Sequence, residues 1–134
     1  MKKQIIPITF LFAAILMLGS ISSANAQSNI IGKPVPIPIQ YTLQVAQNDF
    51  PNQMNWADAK KACEALGEGW RLPTKDELNS MYINKNAIGG FSPNSYWSST
   101  EMPPVFAWNQ YFNYGGRIND QKTNKNYVRA VRPL

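Results

Sequence analysis

The sequence predicts an α+β domain, on three observations. A complete helix-start signal stands at Thr74 and a second at Asn55, each followed by apolar residues at helical spacing. Beyond Asn94 helical spacing stops, and the remaining segments alternate in steps of two between Gly- and Pro-marked turns. Strands therefore follow a pair of helices instead of alternating with them, which separates α+β from a parallel α/β arrangement.

The chain begins with Lys2 and Lys3, an uncharged apolar run from Ile5 to Gly19, and the small residues of Ala24-Asn25-Ala26. That is the pattern of a secretory signal peptide over residues 1–26. The run is shorter than the roughly 20 residues that a membrane span needs. No cysteine follows it where a lipid anchor would attach. The expectation is an exported chain, periplasmic, at the cell surface or secreted, with no membrane insertion after leader cleavage. Residues 27–40 form a lead segment in which Pro34, Pro36 and Pro38 interleave with Val35, Ile37 and Ile39. This suits a stiff spacer or an edge strand and not a helix.

The domain proper is expected over residues 41–134. Tyr41, Leu43 and Val45 alternate with Thr42 and Gln44 and predict a first strand. Asn55 with Asp58 marks a helix start, and Trp56, Ala59, Ala62, Cys63 and Leu66 share its apolar face before Gly67 closes it. Next comes the most informative stretch, Gly69-Trp70-Arg71-Leu72-Pro73-Thr74-Lys75-Asp76-Glu77-Leu78. Trp70 and Leu72 point to one side of an extended segment, and Pro73 keeps Leu72 out of helical torsions. Thr74 and Glu77 then form a capping box that starts a helix at Lys75, with Leu78, Met81 and Tyr82 on its apolar face. The helix fades near Asn84 to Asn86, and Gly89-Gly90 and Ser92-Pro93-Asn94 mark a loop. Strands are expected over Tyr96 to Ser99, Phe106 to Asn113 and Tyr127 to Arg132, with a turn at Tyr114-Gly115-Gly116-Arg117 and loop from Asp120 to Asn126. In the middle strand Trp108, Gln110 and Phe112 share a face, read as buried, opposite Ala107, Asn109, Tyr111 and Asn113. Gln110 would then need a hydrogen-bond partner inside.

The whole chain carries 13 basic and 8 acidic residues, a net charge of +5, and loss of Lys2 and Lys3 lowers this to about +3. The cations are scattered, so nothing forms the basic stripe of a nucleic-acid binder. There is no histidine and a single cysteine, Cys63. Zinc sites built on His and Cys, and Ser–His or Cys–His nucleophiles, are excluded, and no internal disulfide can form. No cofactor and no metal site is expected. Cys63 falls on an apolar helix face and reads as a small buried residue.

Five blocks in order carry a resemblance to a known family: Asn55-Trp56-Ala57-Asp58-Ala59 with Cys63; Gly69 to Thr74 with Glu77-Leu78; Tyr96-Trp97-Ser98-Ser99-Thr100; Ala107-Trp108 with Phe112 and Gly115; and Val128-Arg129-Ala130-Val131-Arg132. Together they resemble the Lcl C-terminal domain-like family, over about Leu43 to Arg132. The resemblance implies a C-type-lectin-like fold, in which the terminal strands pair, two helices flank them, and a small mostly antiparallel sheet carries a long loop region. Family members often place a second cysteine where Ala130 stands, so Cys63 lacks the partner that the resemblance would give it. Sugar-binding C-type lectins hold calcium with Glu-Pro-Asn or Gln-Pro-Asp and with Trp-Asn-Asp. Glu101-Met102-Pro103 and Trp108-Asn109-Gln110 match neither, and calcium needs several such oxygens at about 2.3–2.6 Å. Calcium-dependent sugar binding is not expected.

The function expected is that of a non-enzymatic binding module for a glycan or protein, presenting Asn109, Tyr111, Asn113, Tyr114, Arg117 and Asn119. Aromatic rings stack on apolar faces and amides bond hydroxyls. The alternatives are a structural subunit of a surface assembly, with the proline-rich lead as a donor strand, and an enzyme on the related sulfatase-modifying-factor fold. The last is disfavoured because those enzymes rely on cysteine chemistry, and Cys63 sits on the apolar face of a helix.

Overall fold

The computed structural model describes residues 42–134 and, before them, only the two-residue strand β1 (Ile8–Thr9). The rest of the expected leader and the proline-rich lead segment lie outside the described residues. The described elements are β1, β2 (Thr42–Val45), α1 (Trp56–Glu64), α2 (Lys75–Ile83), the single turn α3 (Lys85–Ile88), β3 (Ser95–Met102), β4 (Phe106–Tyr111), β5 (Arg117–Gln121) and β6 (Val131–Pro133). Among the described residues no helix is long and apolar enough to cross a membrane.

The two ends of the domain pair. β2 runs antiparallel to β6 with Gln44 opposite Arg132 and Val45 opposite Val131, and β1 adds to the outer edge of β2. The pairing continues past β2 through single bonds from Ala46 to Ala130 at 2.9 Å and Phe50 to Val128 at 3.0 Å, and through two reciprocal bonds of 3.1 Å between Met54 and Asn126. The second sheet has the order β3-β4-β5, all antiparallel, with a register shift between Trp97 and Glu101. It joins the first through Trp97 N–H donating to the Tyr127 carbonyl at 3.0 Å.

Adjacent residues of β3 build two cores. Tyr96 enters a cluster with Leu43, Leu78, Met81 and Phe112, whereas Trp97 enters another with Trp56, Cys63, Trp70 and Val128. Successive side chains of a strand point to opposite faces, so a strand that feeds two cores is buried on both. Trp70 and Trp97 are both buried.

The decapeptide folds as read. The Thr74 hydroxyl accepts from Glu77 N–H at 3.2 Å, and the Glu77 carboxylate accepts from Thr74 N–H at 2.7 Å, opening α2 at Lys75. Glu77 is itself buried, and the Arg71 guanidinium donates to both its oxygens at 2.7 and 2.8 Å. Arg71 also exchanges two backbone bonds of 2.9 Å with Val131, strapping the junction to the carboxy-terminal strand. One block thus sets where extended chain ends, where a helix starts and how both meet β6.

Four expectations are corrected. Leu66 lies past the end of α1 and is 37% exposed, because the helix closes at Glu64 and the chain turns away through Gly67. After Asn84 the chain continues as the helical turn α3, Lys85–Ile88. Arg117–Gln121, read as turn and loop, is the strand β5, whose polar sequence carries no alternation because it is an exposed edge. In β4 the faces differ from the reading: Ala107 and Asn109 are buried, and Trp108 is only half-buried. β4 is the central strand of its sheet, covered on one side by the Trp97 cluster and on the other by α2, so period-two alternation has no solvent face to report. Gln110 is buried as read, and its amide nitrogen donates to Asn79 Oδ1 at 3.0 Å and the Gly115 carbonyl at 3.1 Å, while its buried Oε1 has no hydrogen-bond partner among the described residues.

Cys63 is a free, fully buried thiol, and desolvation, helped by the nearby Glu64 charge, pushes its pKa up to about 12. Ala130 lies in the same core cluster. Cys63→Ala is expected to fold and to lose about 1 kcal/mol, the cost of a small core truncation. The native protein should resist thiol reagents; rapid labelling, or a disulfide-linked dimer on a non-reducing gel, would show the thiol to be accessible.

Candidate functional site

Among the described residues, a groove that could receive a ligand lies where α3, the loop 89–93 and the end of β4 meet. Its framework is Arg129, whose side chain is fully buried. Nε donates to Asp49 at 2.5 Å, Nη1 to the carbonyls of Ala46 and Gln47 at 3.1 Å and of Gly89 at 3.3 Å, and Nη2 to the Gly90 carbonyl at 2.6 Å. The planar fork of an arginine satisfies several acceptors at once, which an ammonium cannot do in the same geometry. Tyr96 completes the network, donating from its hydroxyl to the other Asp49 oxygen at 2.6 Å while accepting from Ser92 N–H at 2.6 Å. Burial, followed by the hydrogen bond and charge of Asp49, holds the Tyr96 phenol well above the usual tyrosine range. Gly90 has φ 72°, and a Cβ there would sit 3.4 Å from the Arg129 guanidinium, so the loop backbone lies directly on the arginine.

The loop held in this way borders an open groove of about 560 Å³, lined by Lys85, Asn86, Phe91, Ser92, Phe112 and Asn113 among others. Phe91 packs its ring between the Arg129 guanidinium, 4.2 Å from its centroid, and Phe112 at 4.6 Å. Lys85 donates to the Phe112 carbonyl at 2.5 Å and lies 4.6 Å from the centroid of Tyr82. The groove therefore offers an ammonium, two amides and a hydroxyl over an aromatic floor.

Next in the chain, Tyr111 at the end of β4 and Tyr114 in the turn after it are stacked, with centroids 5.3 Å apart and planes 17° apart. Tyr114 is 63% exposed. Gly115, at φ 82°, leaves room for the Tyr82 ring, which a Cβ there would approach to 2.5 Å.

The six residues proposed from sequence do not form one platform. Asn113 lines the groove and is exposed, and Tyr111 and Tyr114 form the adjoining stack. Asn109 is 98% buried, with its amide directed at Asp120 Oδ2, 3.5 Å away, and is not available to a ligand. Arg117 pairs in register with Gln110 and Asn119 with Trp108, which puts both on the face turned to α2, where Arg117 comes within 3.8 Å of Asp76. Lys85, Asn86 and Ser92 were missed. Their segment reads as loop, and only the Gly89-Gly90 pair marked a place where backbone must approach another group closely.

A family model for the Lcl C-terminal domain matches residues 38–132. The chain belongs to that family. Its paired terminal strands, two flanking helices and second antiparallel sheet are the C-type-lectin-like arrangement that the resemblance implied. No curated protein matches the chain significantly. Among solved structures, botrocetin is similar at 11% identity, covering 70% of this chain and 91% of that one with a TM-score of 0.48. In this Lcl C-terminal domain the shared blocks hold the fold. Arg71 and Glu77 join the helix start to β6, Arg129 holds the groove loop, and Arg132 bonds Gln44 at 2.5 Å and Glu68 at 2.7 Å. Glu101 is paired with Lys122 at 2.6 Å, and Asn109 is turned inward. Among the described residues no three of Asp, Glu, Cys and His gather at one point.

Proposed function

We infer that this Lcl C-terminal domain is an exported, non-enzymatic binding module that takes a glycan or protein ligand without calcium, at the cell envelope or outside it. The observation that carries the reading is the groove beside Asn113, continued by the Tyr111–Tyr114 stack. Concave sites with an aromatic surface and a few convergent polar groups are where ligands bind, and paired tyrosines offer contact area at low entropic cost. The export part rests on the leader pattern of residues 1–26.

The test is a screen of the exported protein against glycans and envelope proteins. A Tyr111→Ala, Asn113→Ala double variant should keep its melting temperature within a few degrees and lose roughly tenfold or more in affinity, the size of effect seen when an interface anchor is truncated. Binding by the double variant equal to the parent would place the ligand elsewhere. EDTA should leave binding intact, and loss that added calcium restores would overturn the metal-free part.

A second reading, a structural subunit of a surface assembly, is favoured by one observation. The outer edge of β2 takes a strand, Ile8–Thr9, from the segment that leader cleavage would remove. Polymers on gel filtration of the processed protein would support it, and a strict monomer would oppose it.

A further inference from the structure

The β3–β4 hairpin ends in four consecutive apolar residues, Met102-Pro103-Pro104-Val105, and all four are exposed. Met102 is 46% and Val105 53% accessible, and the half-buried Phe106 follows. An exposed apolar run of this length at a hairpin tip is unfavourable in water unless something covers it.

The backbone of the tip is unusually easy to take out of water. Pro103 and Pro104 have no N–H. The Pro104 carbonyl accepts from Lys122 Nζ at 3.1 Å, and the Val105 carbonyl accepts from Lys122 N–H at 2.9 Å. Two N–H groups of the turn are thus absent and two of its carbonyls are bonded inside the protein, and desolvating unpaired polar groups is the main cost of entering an apolar phase. A tip so poor in donors also suits a protein partner badly, since interfaces between proteins carry about one hydrogen bond per 100–200 Å².

Charge lies at the base of the hairpin. The ammonium groups of Lys60 and Lys122 each sit 4.6 Å from the centroid of Trp56, and against them stands one carboxylate, Glu101, 2.6 Å from Lys122 Nζ. Lys122 is held by Glu101 and the Pro104 carbonyl, so Lys60 is the cation left behind the apolar tip to meet a surface whose interior is apolar and whose rim is anionic.

We propose that the β3–β4 hairpin tip is a shallow membrane-docking site, in which Met102, Pro103, Pro104 and Val105 enter the headgroup–acyl boundary and Lys60 faces anionic lipid headgroups. The contact is peripheral and reversible and involves no spanning segment. It lies on a different part of the chain from the groove residues and does not depend on what the groove binds.

The experiment uses the purified exported protein with vesicles of phosphatidylcholine and phosphatidylglycerol in equal parts, and with phosphatidylcholine alone. Cosedimentation should be at least fivefold stronger with the anionic vesicles and should fall in 0.5 M NaCl. A Met102→Ser, Val105→Ser variant should lose at least tenfold in binding with an unchanged melting temperature, because neither side chain is in the core. Lys60→Gln should weaken binding to the anionic vesicles alone. An environment-sensitive dye on Val105→Cys should shift to the blue with anionic vesicles, whereas the same dye on Ile83→Cys should not; buried Cys63 stays unlabelled. Failure to bind either vesicle, serine-variant binding equal to the parent, or a blue shift at residue 105 produced by envelope proteins but not by lipid would each overturn the proposal.

Discussion

Arg129→Met should destabilise the domain by about 3–5 kcal/mol, the range found when one partner of a buried ion pair is removed and the other is left uncompensated. For a domain of this size that corresponds to a fall in melting temperature of roughly 15–30 °C. The size follows from what the guanidinium holds: Asp49 and four carbonyls, drawn from the chain after β2 and from the loop 89–90. Methionine fills much of the volume but leaves these acceptors without donors. Arg129→Lys should recover little, since one ammonium cannot reach acceptors arranged around a planar fork. The assignment to charge and hydrogen bonding, as opposed to volume, is checked by adding Asp49→Asn to Arg129→Met. Removing the stranded carboxylate should restore about 1–2 kcal/mol, a coupling of the kind contacting residues show. Strict additivity of the two changes would mean that Arg129 acts through packing alone. The same variants report on the groove, because its loop is fixed by this network.

How far this was legible in the sequence depends on whether a signal was local. The capping box at Thr74 and Glu77 is complete within four residues, and α2 starts where it says. Asn55 caps α1 for the same reason, accepting from Asp58 N–H at 2.9 Å. What Glu77 does beyond the cap, receiving a two-pronged Arg71, depends on how the extended segment folds back, and no spacing rule reports it. Arg129 shows the limit more plainly. In the sequence it is one of several scattered cations, yet its partner Asp49 is 80 residues away. The C-type-lectin-like arrangement came from five blocks taken together and not from periodicity. The faces of β4 were misread because alternation assumes one wet side, and β4 has neither face fully open. The candidate site suffered from the same assumption. Asn113, Tyr111 and Tyr114 lie near the strand end, where solvent does reach, whereas Asn109 lies in the middle and Arg117 and Asn119 face the other way.

Trp97→Ala and Trp108→Ala, compared side by side, should give very different melts, and the contrast tests the corrected faces of the second sheet. Trp97 is fully buried, packs with the Trp56 and Trp70 cluster, and donates from its indole nitrogen to the Met54 carbonyl at 2.8 Å. Truncation opens a large cavity and strands that carbonyl, at a cost of about 3–5 kcal/mol. That is a large part of the roughly 5–15 kcal/mol on which a domain stands, so the variant should melt at least about 15 °C lower or fail to fold. Trp97→Phe, which keeps most of the ring volume, should lie between the two. Trp108 is half-buried, and its ring is covered on one face by Lys75, whose ammonium is 3.3 Å from the centroid. Removing it loses a partly solvated cation–π contact and some packing, about 1–2 kcal/mol. Thermal melts of the three variants under one buffer decide the matter. If Trp108→Ala proved as damaging as Trp97→Ala, Trp108 would belong to the core, as the alternation of β4 predicts from sequence, and the half-buried assignment would be wrong.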